Sequence, residues 1–141
     1  MSDEFPQQGR LAGIDFGTVR IGIAISDSER ILASPFQNYA RRDVEYDAAY
    51  FQQLANEERI VGWIVGLPVH SSGDESQKSL EAREFGRWLA EVTGLPVRYY
   101  DERYTSKQAD TLMGDSKLKK KKRKQQRDMI AAQLVLAGYL E

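Results

Sequence analysis

The sequence predicts one α/β domain in which a mixed sheet carries helices on its faces. Three observations predict it. Apolar residues alternate within the first 26 positions. Apolar residues recur at helical spacing from Asp43 onward. A short apolar run at 60–67 and a further strand at 97–101 are separated by another helical stretch. With 141 residues the chain has the length of a single domain and can bury about two thirds of its unfolded surface.

Residues 1–9 read as a loose, flexible tail, and the domain spans 10–141. The run 10–16 reads as a strand buried on both faces. Residues 19–26 place Ile21, Ile23 and Ile25 on one face and Gly22, Ala24 and Ser26 on the other, which is strand periodicity. Gly17-Thr18 between them is short enough for a hairpin turn. A third strand is expected from Arg30 to about Tyr39, with Pro35 marking an edge or a bulge. Three successive strands of this kind are antiparallel.

From the N-cap Asp43, the spacing of Val44, Ala48, Phe51 and Ala55 predicts a helix. Ile60 to Leu67 reads as a central parallel strand covered on both faces. The Ser71-Ser72-Gly73-Asp74 cluster makes a loop after Pro68. A helix follows to about Val92, stopped by Gly94 and Pro96. Val97 to Asp101 is the last strand. Thr105 and Gln108 have capping-box spacing for a helix start, and a final helix is expected over Asp128 to about Leu140. The tyrosines and tryptophans read mostly as core.

Composition excludes several chemistries. Without cysteine there is no disulfide scaffold, thiolate zinc site, iron–sulfur cluster or cysteine nucleophile. With His70 as the single histidine, a metal must be held by oxygen ligands. No run approaches the roughly 18 apolar residues of a membrane helix. The acidic, polar N-terminus lacks the features of a secretory signal, so a soluble cytoplasmic protein is expected.

Charge is balanced overall at −1 and lopsided locally. Lys117 to Arg127 holds eight basic residues and no acid, while the rest carries 12 basic against 21 acidic residues, a net −9. Such a run repels itself, so a solvated, mobile loop at about 115–127 is expected. It is either a merely soluble loop or a contact for a polyphosphate, that is, nucleic acid.

Acids stand at the ends of three elements. Asp15 shares its strand face with Leu11 and Gly13, where a carboxylate is costly unless it is paired or binds a cation. Asp101 and Glu102 end the last strand, at the edge where open α/β sheets bind ligands. Asp128 shares a helix face with Ala131, Ala132 and Val135, which should pack inward. Taken singly, each has a bland reading: a turn cap for Asp15, surface acids for the second pair, an N-cap for Asp128. Taken together, converging carboxylates would hold two divalent cations suited to phosphodiester hydrolysis. Thr18 and the Gly17 backbone can donate to a phosphate, and Arg20 can clamp one; turn chemistry and a surface arginine explain them equally well. His70, in a Ser/Gly loop, reads as a contact to substrate or solvent.

Four motifs carry a resemblance. Gly13-Ile14-Asp15-Phe16-Gly17-Thr18-Val19-Arg20-Ile21-Gly22-Ile23-Ala24 resembles the opening motif of the YqgF-type pre-16S ribosomal RNA nucleases and Holliday-junction-resolvase-like nucleases. Ile64-Val65-Gly66-Leu67-Pro68 resembles their central strand. Asp101-Glu102-Arg103-Tyr104-Thr105-Ser106 is similar to their Asp-Glu-Arg-Leu-Thr-Thr segment, and Asp128 with Ala131-Ala132 and Tyr139-Leu140 is similar to their final helix. The motifs run in order from about residue 10 to 140. Tyr104 and Ser106 replace Leu and Thr, and Val69-His70-Ser71-Ser72-Gly73 departs from the Asn and Asp that many members place before the glycine.

The resemblance implies a ribonuclease-H-like fold and a nuclease dependent on Mg2+ or Mn2+. Asp15, Glu102 and Asp128 would be the catalytic and metal-binding carboxylates, with Asp101 behind them. Thr18, Arg20, His70, Arg103, Lys119, Lys120, Lys121, Lys122, Arg123 and Lys124 are assigned to substrate binding. The expected substrate is precursor 16S ribosomal RNA, cut at its 5′ end, or branched DNA. Ribosomal particles are a candidate partner, and a junction resolvase would need a dimer rather than a monomer. Two other readings compete. Asp15-Phe16-Gly17-Thr18 also resembles the first phosphate loop of the ATP-binding actin/sugar-kinase group, whose paired domains this chain is too short to hold. A non-catalytic RNA-binding factor would need the basic segment alone.

Overall fold

The structure is a computed structural model that describes residues 5–68, 77–101 and 120–141, with residues 120–126 described by backbone only. The described residues form, in order, β1 (Arg10–Asp15), β2 (Arg20–Ser26), β3 (Ala33–Ala40), α1 (Val44–Glu57), β4 (Ile60–Leu67), α2 (Gln77–Thr93), β5 (Val97–Asp101) and α3 (Lys120–Leu140). The sheet order is β3-β2-β1-β4-β5. β1, β2 and β3 pair antiparallel, whereas β1, β4 and β5 run parallel. The sheet is therefore mixed, and the parallel strands end on one common edge.

Strand alternation divides the core in two. Ile21, Ile23 and Ile25 point to the face covered by α1 and α2, where Phe51, Trp63, Phe85 and Leu89 fill the centre. Leu11, Ala24 and Ile64 point to the opposite face, where Ala132, Val135 and Leu136 of α3 close over them. Both central strands are thus dry on both sides, which is why their sequences are nearly continuous in apolar residues.

Asp43 caps α1, accepting from the Tyr46 backbone N–H at 2.7 Å. One turn on, Asp47 is buried and tied to β3: its Oδ1 accepts from the Tyr39 hydroxyl at 2.6 Å and the Arg42 N–H at 2.8 Å. A buried carboxylate is tolerated only with donors of this kind.

The sequence expectations and the structure differ at three places. The third strand begins at Ala33 rather than Arg30, because Asp27 Oδ1 accepts from both Ile31 N and Leu32 N at 2.8 Å and holds 27–32 as a turn. Pro35 does lie on an edge strand, at a register shift between Ile23 and Ala24. Phe5, placed in the loose tail, is buried on the α3 face, its ring 5.9 Å from Tyr139; burying an aromatic outweighs the ordering of a few tail residues. The last helix begins at Lys120, not Asp128. The basic run from Lys120 to Arg127 is therefore helix rather than loop. Lysine, arginine and glutamine are good helix formers, and the packed half of α3 supplies the nucleus from which they extend. The helix expected at Thr105 lies outside the described residues.

Two glycines set the seat of α3. A Cβ on Gly13 would come within 2.7 Å of the Ala132 carbonyl oxygen and 2.8 Å of Leu136 Cβ, and one on Gly22 would run into the Asp128 carbonyl oxygen. Gly22→Ala is expected to destabilise the protein by about 1–3 kcal/mol, the ordinary cost of overpacking, measured as a lower urea midpoint with unchanged slope.

Candidate active site

Asp15 is the last residue of β1, and its partner in the ladder is Gly22. By alternation it shares the α3 face with Leu11 and Gly13. Because the Asp128 backbone rests directly on Gly22, the helix delivers Asp128 to the same corner. Asp128 Oδ2 accepts from Asn38 Nδ2 of β3 at 3.3 Å. Asp128 stands two turns inside α3, so it is not an N-cap; its neighbours Ala131, Ala132 and Val135 are buried.

The electrostatics register this meeting. The Asp15 carboxyl is pushed up to about 7, first by burial, then by the negative charge of Asp128, with Lys78 opposing both. Two carboxylates in one corner disfavour their own double ionisation, and among the described residues Lys78 opposes this at Asp15. A hard divalent cation with oxygen ligands relieves that conflict, so these residues fit the metal the sequence implies.

A cavity of about 350 Å³ opens at Asp15, between Thr18, Pro68, Lys78 and Glu81. Thr18 is thus beside Asp15. Arg20, at the start of β2 opposite Ala40, does not line this cavity among the described residues. Lys78 and Glu81 went unnoticed in the sequence. Both lie in the first turns of α2, the helix that follows β4, and the rule that ligands sit beyond the carboxyl ends of parallel strands points to them.

Asp101 ends β5 opposite Leu67, on the same sheet edge and two strands from β1, about 10 Å away at ordinary strand spacing. Glu102, His70, Arg103 and Lys119 lie outside the described residues. Among the described residues no three His, Asp or Glu side chains form a metal-holding group. Lys120, Lys121, Lys122, Arg123 and Lys124 occupy the first turns of α3. The helix runs against β1: Asp128 lies at the Asp15 end and Leu136 over Gly13. Its first eight residues, Lys120 to Arg127, therefore continue about 12 Å beyond Asp128, past the edge that carries Asp15.

Comparison with known proteins bears on the fold and the family. The RuvC structure of T. thermophilus in complex with a Holliday junction substrate is similar over 93% of this chain and 94% of that one, with TM-score 0.55 at 17% identity. That likeness shows the fold, which is ribonuclease-H-like. Among curated proteins, a "Putative pre-16S rRNA nuclease" of Rhodopirellula baltica is 51% identical over 139 residues, covering 99% of this chain and 80% of the relative. Proteins of the same name are 37% identical in Koribacter versatilis, over 100% of this chain and 92% of the relative, and 37% identical in Syntrophomonas wolfei, over 94% of each. The family described as "RuvX: Holliday junction resolvase" matches residues 9–141. Matched by that family over residues 9–141 and 51% identical to a relative over 99% of its own length, the chain belongs to the RuvX family.

Proposed function

We propose that this protein is a divalent-metal-dependent endonuclease that processes the 5′ end of precursor 16S ribosomal RNA in the cytoplasm. The observation that carries the reading is the placement of Asp128, from mid-helix, against Asp15 at the end of β1. The name of the 51% identical relative supports the RNA substrate. The description of the family favours a second substrate, the four-way DNA junction, which would require a dimer.

Asp15, Asp128 and Glu102 would hold magnesium or manganese, with Asp101 beside them. A metal held there would supply water activation and charge neutralisation for hydrolysis to a 5′-phosphate and a 3′-hydroxyl. The chain's own residues do the rest. Thr18 and Lys78 line the cavity at Asp15 and can donate to a phosphate oxygen. His70 and Arg103, outside the described residues, would contact substrate. The start of α3 brings Lys120 to Lys124 and the positive end of a helix dipole toward the backbone of the substrate.

The deciding assay titrates magnesium and manganese against a labelled precursor ribosomal RNA and a four-way junction side by side. Metal-dependent cleavage of the RNA at its 5′ end is the expected result; cleavage of neither substrate removes the proposal. Asp15→Asn, Asp128→Asn and Glu102→Gln should each lower cleavage by about 100-fold or more, the loss of several kcal/mol of transition-state stabilisation, while binding persists.

Replacing Lys120, Lys121, Lys122 and Lys124 together by Gln should weaken binding without changing its sequence preference. The log–log salt slope on duplex should flatten by about 3–4, if each lysine meets one phosphate.

The raised carboxyl at Asp15 predicts a pH dependence of a definite sign. Its folded value, about 7, lies above the ordinary 3.8. The group therefore favours the folded state fully below pH ~4 and loses that contribution as pH rises through about 7. In metal-free solution at pH 8, Asp15→Asn should melt about 3–6 °C higher than the parent, about 1–2 kcal/mol after solvent screening at this half-buried site. The two proteins should converge below pH 4, and added magnesium should stabilise the parent but not the variant.

A further inference from the structure

A second cavity, of about 370 Å³, adjoins the one at Asp15; Phe16, Thr18 and Glu81 line both. Its floor is a row of three tilted rings. Phe16 and Phe85 lie 4.8 Å apart between centroids at 32°, and Phe85 and Trp88 lie 5.5 Å apart at 35°. The Arg41 guanidinium sits 5.2 Å over the Phe16 ring and 6.0 Å over Phe85. Arg41 is fixed there: its Nε donates to Asp47 Oδ2 at 3.5 Å and its backbone N–H donates to the Val19 carbonyl at 2.9 Å. Trp88 is only partly buried.

The rim is acidic. Glu81 and Glu84, three residues apart on α2, line the same cavity, and Glu84 is exposed. Flat rings and a guanidinium plane accept a stacked base, as aromatic and arginine planes do in single-strand recognition. Glu84 lines only this cavity and Lys78 only the other, so the phosphate belongs at the Lys78 end and the base beside the rim carboxylates. They also select among bases. A carboxylate has two acceptor oxygens and pairs best with two adjacent donors. Guanine presents its N1–H and N2–H groups side by side. Uracil presents one N–H between two carbonyls, which a carboxylate repels.

We infer that this second cavity is a base-binding subsite that takes one unpaired guanine next to the phosphate held at Asp15, with Glu84 on its Watson–Crick edge and Trp88 against its face. The inference rests on the nuclease reading for the position of that phosphate, and it adds a sequence preference to it.

Intrinsic fluorescence tests it without cleavage. Trp63 is fully buried, so quenching by an added oligonucleotide reports Trp88. The full chain, in EDTA, is titrated with the 5′-phosphorylated trinucleotides UGU and UUU. UGU is expected to quench and to bind about tenfold or more tighter than UUU. Trp88→Phe should abolish the quench. Glu84→Ala, at an exposed position with Trp88 intact, should bring UGU to the affinity of UUU with an unchanged circular dichroism spectrum. Equal response to the two trinucleotides, no quench by either, or a preference that survives Glu84→Ala overturns the subsite. Normal metal-dependent cleavage alongside such a result leaves the nuclease reading standing. A guanine-selective quench in a protein that cleaves nothing keeps the subsite and removes the nuclease.

Discussion

The seat of α3 on β1 and β2 is the contact on which the site depends. Two positions without side chains, Gly13 and Gly22, let the helix backbone come down onto the sheet. Ala132 and Leu136 fill one end of that contact, and Asp128 rests at the other. Helix and strand run in opposite directions, so tight packing at Gly13 fixes where Asp128 falls relative to Asp15. The acid from the helix reaches the acid from the strand because the backbone approach allows no slack. A protein interior at crystal-like density transmits such placement over several residues.

That closeness has an electrostatic cost. Burial and the neighbouring charge of Asp128 both push the Asp15 carboxyl toward its neutral form, and Lys78 only partly opposes them. Two acids brought together at the end of a strand are an arrangement found more often at functional sites than in structural ion pairs. Under the proposed function a divalent cation would relieve this conflict and so couple loading of the site to its stability. Opposite charges are kept apart here: Asp15 and Asp128 meet at one corner, and the basic run is carried past them on the first turns of α3.

The opposite face of the sheet shows a different use of charge. Asp47 is buried, satisfied by Tyr39, Arg42 and Arg41, and so ties the edge strand β3 to the start of α1. Through Arg41 this network reaches the Phe16 and Phe85 rings, and Phe16 follows Asp15 directly. The base-sized cavity and the carboxylate corner thus meet at the β1–β2 turn. A single short segment, Asp15 to Thr18, contributes to both.

Every strand was legible in the sequence to within three residues, because period-two alternation and apolar runs follow from which face is buried. Asp43 was legible as a cap for the same local reason, and Asp15 as an acid among buried positions. The sequence by itself therefore determined the elements, their faces and the identity of the acids. Tertiary structure decided the rest. Phe5 joined the core because a surface left open by Tyr139 could be covered. The basic run became helix because packing further along α3 had already nucleated it. Lys78 and Glu81 entered the site only through the direction in which α2 leaves the carboxyl edge. Asp128 met Asp15 only through the two glycines beneath α3. Periodicity states which side of an element is inward; it does not state which other element lies there, since that is set by contacts between residues far apart in the chain.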